Sequence, residues 1–211
     1  MMTTNLPHAV VPDANILYSA TLRDIFMWLH HEGLAQVRWT RDIAKEWQIN
    51  AVADGKMTGV QVAWCDWKMQ ENCPDWEIAG YEHHESVFPN VHPKDRHVAA
   101  AAHGWAMGTR PDGDPDAQAP AQEVALVTWN TKDFDLRGAT TLVTRYTPDE
   151  YLTQLYSDKP GSLALTLSKA RDNLKKPPVT AAEYVQFLVN NKCVGLAALM
   201  SAHWGLPPSS Q

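Results

Sequence analysis

Two short apolar runs, each ending abruptly in polar residues, constrain this chain more than any other feature. The first is Val10-Val11-Pro12, followed at once by Asp13-Ala14-Asn15. The second is Val124-Ala125-Leu126-Val127-Thr128, followed by Trp129-Asn130-Thr131-Lys132-Asp133-Phe134. A strand without apolar–polar alternation is buried on both faces, which is the situation in a parallel sheet covered by helices. Residues leaving the carboxyl ends of such strands face the crevice where ligands bind. Asp13 is therefore placed either for chemistry or, more plainly, to cap the helix that follows it, with Asn15 assisting.

The segments between these runs have helical period. Leu22, Ile25, Phe26 and Leu29 form an i, i+3, i+4, i+7 stripe that ends at Gly33. Ala35 to Trp39 is short and β-prone, and Thr40-Arg41-Asp42 then offers a cap for a helix holding Ile43, Ala44, Glu46 and Trp47. Val60 to Trp76 reads as a helix with Val60, Trp64 and Trp67 on one face. Tyr81-Glu82-His83-His84-Glu85 reads as a solvated polar stretch, since adjacent histidines on a regular element face different directions. The run Val98-Ala99-Ala100-Ala101-Ala102 suits a helix lying close on a sheet, with Asp95 in its first turn and His97 a packed or surface residue in preference to one that orients substrate. Thr109 to Pro120 is a polar Pro/Gly/Asp loop, and Thr140 to Val143 a further short strand.

Thr147-Pro148-Asp149-Glu150 is a capping box that launches a helix, and Ser157-Asp158-Lys159-Pro160-Gly161 marks the best domain boundary. The expected division is residues 1–156 as the main domain and 157–211 as a helical extension. In that extension Leu163, Leu167, Ala170 and Leu174 mark one helix, and Thr180-Ala181-Ala182-Glu183 caps another with Tyr184, Phe187 and Leu188 on one face. So small a unit buries little apolar surface alone and is expected to pack on the main domain or on a partner.

Composition narrows the function classes. No apolar run approaches the roughly 20 residues that span a bilayer. Met1-Met2-Thr3-Thr4-Asn5 has neither the basic flank nor the apolar core of a signal peptide, so the expected location is cytoplasmic. Cys65, Cys73 and Cys193 form no CxxC pair and are expected to be free thiols. A net charge of −6 argues against broad electrostatic binding to a nucleic-acid backbone, which depends on Lys and Arg displacing counterions. The nine tryptophans are unusually many, and composition does not divide them between core and interface.

The acids placed at strand ends or in early helix turns are Asp13, Glu46, Asp95 and Asp133, with Asn15, Thr128 and Asn130 as polar neighbours. Carboxylates converging in one crevice raise one another's pKa values unless cations neutralise them, and all-oxygen ligands suit Mg²⁺ or Mn²⁺. Each acid also has a plainer account: Asp13 and Asp95 as caps, Glu46 as a surface residue.

Four spaced pieces resemble the PIN-domain nucleases, and within them the VapC-like toxins of bacterial toxin–antitoxin modules. They are Val11-Pro12-Asp13-Ala14-Asn15-Ile16-Leu17, Arg41-Asp42-Ile43-Ala44-Lys45-Glu46, the stretch from Lys94-Asp95-Arg96-His97 through Ala102, and Val127-Thr128-Trp129-Asn130-Thr131-Lys132-Asp133-Phe134. They span residues 8 to about 156, and Lys176-Pro177-Pro178-Val179-Thr180-Ala181-Ala182-Glu183 is similar to a C-terminal extension of some such toxins.

The resemblance implies an α/β/α three-layer sandwich on a central parallel sheet, with Asp13, Glu46, Asp95 and Asp133 as ligands of one or two Mg²⁺ or Mn²⁺ ions. It places Asn130 where many relatives carry a polar or acidic residue. It also implies hydrolysis of structured RNA of the tRNA or rRNA class, a cognate antitoxin as partner and a homodimer as one possible assembly. Arg41, Lys94, Arg96 and Lys132, beside the acids, are the candidate RNA contacts, and Trp129 a candidate for stacking an unpaired base. The competing readings are a PIN-like RNA- or protein-binding module without catalysis and a metal-dependent phosphatase.

Overall fold

The structure, a computed structural model, describes residues 6–108 and 121–207. The expected loop from Thr109 to Pro120 lies outside these residues, as does Met1 to Asn5. Four parallel strands, β1 (Ala9–Pro12), β2 (Gln36–Val37), β3 (Val124–Val127) and β4 (Val143–Tyr146), form one sheet in the order β2-β1-β3-β4. Every residue of β1 and β3 is buried, as unbroken apolar runs require. Helices flank the sheet, so the α/β expectation holds. None of the helices among the described residues is long and apolar enough to cross a membrane.

Pro12 ends a central strand without disrupting the ladder. The next amide, Asp13 N–H, bonds Val127 C=O at 2.9 Å on the β3 side, so the donor that proline lacks would face β2. There Arg38 N–H still bonds Val10 C=O at 3.0 Å, and the chain beyond it pairs elsewhere, Trp39 N–H with Trp76 C=O at 2.8 Å.

The Leu22, Ile25, Phe26, Leu29 stripe is fully buried on α2 (Ala20–His31). A separate short helix, α1 (Ala14–Tyr18), precedes it, because Ser19 turns extended and its hydroxyl caps α2 at Leu22 N–H. Thr40 caps α3 (Arg41–Ala53), and a Thr58–Gln61 capping box opens α4 (Gly59–Asn72). Val60, Trp64 and Trp67 do share a face of α4, but that face is exposed, at 81, 62 and 53 %. Val62 and Met69 are the buried side instead.

Two 3₁₀ turns, Glu82–Val87 and Pro93–Asp95, lead into α5 (Arg96–Ala106). The alanines of α5 are fully buried, which lets its backbone lie close on the sheet. The polar stretch at 81–85 is only partly solvated: Tyr81 is buried and donates to Asp42.

The strand expected at Thr140 to Val143 begins where it was expected to end. Only Val143 of β4 is buried, and Thr144 and Arg145 face solvent on an edge strand, so the apolar signal lay at its front.

Helices α6 (Pro148–Asp158) and α7 (Pro160–Asn173) are separated by Lys159 alone, so the division expected after residue 156 falls in the last turn of α6. Then follow α8 (Ala181–Asn190), behind its Thr180–Glu183 capping box, and α9 (Val194–His203), which is apolar nearly all round and shows no period in the sequence. Leu163, Leu167, Tyr184, Leu188, Leu196 and Met200 join the core cluster of the sheet. Cys73 and Cys193 are buried and Cys65 half-buried, all three as free thiols.

The cap residue of α9, Cys193, makes no side-chain bond to its helix. Asp149 of α6 supplies it from outside, its two oxygens accepting Gly195 N–H and Leu196 N–H, both at 2.9 Å. A carboxylate there also meets the positive end of the helix dipole. Gly195 suits this close approach, since a Cβ at this position would lie 3.0 Å from Asp149 Oδ2 and from Thr153 Oγ1 and one of them would have to give. Asp149→Ala is expected to lower stability by about 1–2 kcal/mol, with hydrogen exchange rising first in α9. Urea denaturation followed by exchange of residues 194–203 checks this.

Candidate active site at the sheet switch point

β2 is added on one side of β1, and β3 and then β4 on the other, so the chain's direction of progress reverses between β1 and β3. Ligands bind at such switch points, outside the carboxyl ends of the strands. Asp13 leaves β1 and Thr128 leaves β3 at this edge, one position beyond the Pro12–Val127 pair.

Both are buried, Asp13 to 4 % exposure and Thr128 fully. Asp13 Oδ1 accepts Ala14 N–H at 2.6 Å, so the carboxylate does cap α1. Its Oδ2 does something further: it accepts the Thr128 hydroxyl at 2.7 Å and the Asn15 amide. Thr128 Oγ1 in turn accepts Asn15 Nδ2 at 3.1 Å and Asn130 N–H at 2.9 Å, while Asn15 Oδ1 accepts Trp129 N–H at 3.3 Å. Asn15 and Thr128 thus lock one rotamer of Asp13 and the course of the chain after β3.

The other acids come to the same edge by different routes. Asp95 starts α5 without a capping bond to it, so of its plain account only the attraction of a carboxylate to the helix dipole remains. His92 N–H bonds Asp133 C=O at 2.9 Å, tying the 3₁₀ turn that carries Asp95 to the turn after β3. Asn130 Nδ2 donates to Asp133 Oδ2 at 2.7 Å and, at 3.5 Å, to Asp95 Oδ2. Glu46, on the exposed side of α3, has Oε2 3.9 Å from His97 Nε2. That ring nitrogen is buried without a hydrogen-bond partner, so His97, assigned to packing or surface from the sequence, points a polar atom at the site.

The electrostatics tie the four together. Burial pushes the Asp13 carboxyl from the ordinary 3.8 up to about 6; the bonds from Thr128 and Ala14 oppose this, and repulsion from Glu46 and Asp95 adds to it. Asp95 is raised by burial and by Asp133, against the pull of Lys94. No Lys or Arg comes within ion-pair distance of any of the four among the described residues.

The donors are all hard oxygens, with Lys94, His92 and His97 offsetting part of the charge on Asp95, a set that fits a divalent cation in chemistry. Their placement does not form a closed cage: among the described residues no three His, Cys, Asp or Glu side chains stand where one ion would hold them. Amide and hydroxyl donors from Asn15, Thr128 and Asn130 occupy the carboxylate oxygens instead.

The four candidate RNA contacts divide. Arg41 is paired with Glu77 at 2.6 and 3.0 Å. Arg96 donates to Val91 and Pro89 carbonyls, both at 3.0 Å, and so braces the segment before Asp95. Lys94 and Lys132 are exposed. Tyr18, Lys56 and the turn Asn190–Lys192 also reach this edge beside Asn15 and Trp129. Nothing in their local pattern distinguishes them, and only the fold brings them in.

The chain is thus an all-parallel α/β sheet with two buried acids, Asp13 and Asp95, and the less buried Glu46 and Asp133 at its switch point. Residues 148–202 match the family model described as the VapC50 C-terminal domain, which covers α6 to α9. Neither the curated proteins nor the solved structures contain a match.

The raised Asp13 pKa makes stability pH-dependent with a definite sign. The folded protein holds this proton to higher pH than the unfolded chain does, so stability falls as pH rises from about 4 to about 6 and is flat above. The loss is at most about 3 kcal/mol. Asp24 is likewise raised to about 6 by burial, so the difference between wild type and Asp13→Asn isolates the part due to Asp13. In EDTA, that variant is expected to show a shallower fall in thermal midpoint between pH 4 and pH 7. Glu46→Gln and Asp95→Asn are expected to keep or raise the midpoint at pH 7 in the same buffer, because each removes a repelling charge. Unfolding of either would return that residue to a structural role.

Proposed function

We propose that this protein is a metal-dependent endoribonuclease, the toxin of a toxin–antitoxin pair, acting on structured RNA of the tRNA or rRNA class in the cytoplasm. The observation that carries the reading is Asp13: a buried carboxylate at the switch point, repelled by Glu46 and Asp95, with no Lys or Arg ion-paired to it among the described residues. Folding keeps such an arrangement at a cost, and strained electrostatics of this kind cluster at functional sites. The match of residues 148–202 to the VapC50 C-terminal domain supports the toxin role and a cognate antitoxin as partner.

Asp13, Glu46, Asp95 and Asp133 would hold Mg²⁺ or Mn²⁺, directly or through water. Such an ion, when bound, lowers the pKa of a coordinated water and stabilises the departing oxygen of the phosphodiester. The protein's own residues place and hold. Thr128 and Asn15 fix the Asp13 carboxylate so that it need not reorganise, Asn130 spaces Asp95 from Asp133, and the exposed Lys94 and Lys132 face the backbone phosphates.

One observation favours a second reading, an RNA- or protein-binding module without catalysis. Asn130, an amide, stands between Asp95 and Asp133, and the acids are not gathered into a three-ligand group among the described residues. Incubation with total tRNA and rRNA separates the two. The nuclease reading expects cleavage with Mn²⁺ or Mg²⁺, abolished by EDTA and reduced about a hundredfold or more in Asp13→Asn and in Asp95→Asn. RNA binding with no cleavage under any divalent cation overturns it in favour of the module, and turnover of a simple aryl phosphate without RNA cleavage makes the protein a phosphatase. Growth arrest on expression, relieved by the product of a neighbouring short reading frame, is the expected sign of the toxin role.

A further inference from the structure

A cavity of about 610 Å³ opens directly beside the acids, sharing Asn15 with them. One wall is Tyr18 at the end of α1 and Trp129 beyond β3, the other the α8–α9 turn with Lys192, and Arg23 and Lys56 line it as well. Three of its lining residues are basic and none is acidic, on a chain whose net charge is −6. Asp54 stands at its border, accepting the Tyr18 hydroxyl, and a lining with three basic side chains and no acidic one suits an anion.

The aromatic groups are placed with the cations. Lys56 Nζ stands 3.9 Å from the centre of the Tyr18 ring, and Lys192 Nζ 6.0 Å from that of Trp129. Neither lysine is ion-paired among the described residues. Arg23 is held in place by the Leu17 carbonyl and the face of Trp47.

Lys192 is also the one non-glycine residue with positive φ among the described residues, at +59°. It follows the C-cap of α8, where glycine is the usual occupant because a side chain is disfavoured there. The turn is pinned to the main domain by a 2.5 Å hydrogen bond from Ser19 Oγ to Asn191 Oδ1. A strained backbone held by such a contact keeps a charged side chain pointed into the cavity.

We propose that this cavity is a nucleotide subsite for single-stranded RNA, built jointly by the main domain and the C-terminal helices, and resting on the nuclease reading above. A base stacks on Trp129, and the Lys192 ammonium swings from the ring to the adjoining phosphate, which Lys56 also contacts. The subsite positions the nucleotide next to the one whose phosphodiester faces Asp13.

Binding of a fluorescein-labelled single-stranded oligoribonucleotide to the full chain, followed by anisotropy in EDTA, tests this without chemistry. Lys192→Ala and Trp129→Ala are each expected to weaken binding about 5- to 50-fold, and Lys45→Ala, on the exposed side of α3, to leave it unchanged. Lys192→Gly, which relaxes the left-handed backbone, is expected to weaken binding equally while its thermal midpoint stays or rises, so that lost binding is not lost folding. Wild-type affinity in all three cavity variants overturns the subsite even if the protein cleaves RNA normally. Competition by polyglutamate as effective as by unlabelled RNA overturns it too, leaving only a general anion patch. Variants that lose binding in a protein that cleaves nothing sustain the subsite and remove the nuclease reading.

Discussion

The hydrogen bond from Thr128 to Asp13 joins the ends of two neighbouring parallel strands, and the rest of the site is arranged about it. Its existence depends on register: Pro12 pairs with Val127, so the residues one step further on arrive side by side. Slipping either strand by one residue would put Val127 or Trp129 in that place and leave a carboxylate buried without its donors. The unbroken apolar character of β1 and β3 is what allows both strands to lie in the centre of the sheet. Abrupt polarity at their ends is what stops the burial at the switch point.

From that fixed pair the other functional groups are placed by short, traceable links. Asn130 hangs from Thr128 through its own amide and reaches both Asp133 and Asp95. The Asp133 carbonyl holds His92, and Arg96 braces Pro89 and Val91, so the turn bearing Asp95 is tied on two sides. Arg96 therefore serves the site by building its wall. Glu46 arrives independently on α3, and its repulsion acts on Asp13 through space. The energetic result is that the ionised Asp13 carboxylate costs the folded state stability near neutral pH.

The C-terminal helices do more than cover apolar surface. Asp149 caps α9 across a helix boundary, and the Asn191–Ser19 contact fastens the α8–α9 turn against the first helices of the main domain. These two polar ties set where Lys192 sits relative to Trp129. Residues on both sides of the expected division contribute the lining of the cavity.

Much of this could be read in the residues, because local rules decide local structure. Continuous apolar runs named the central strands, the capping boxes at Thr147 and Thr180 and the Thr40 cap named helix starts, and acids just past strand ends named the candidate site. What escaped the sequence was decided by packing between distant segments. The Val60, Trp64, Trp67 stripe has a period but carries no label for which side of it meets the core, and that face lies in solvent. The edge strand β4 and the evenly apolar α9 offered no period to read. Lys192, Lys56 and Tyr18 are ordinary residues until the fold sets them around one cavity. The sequence by itself determined the strands, the caps and the acids at their ends, since each follows from a few neighbouring residues. Only the tertiary structure decided that Thr128 meets Asp13, that Asn130 stands between two acids, and that a basic cavity lies beside an acidic site, because each joins segments that share no local signal.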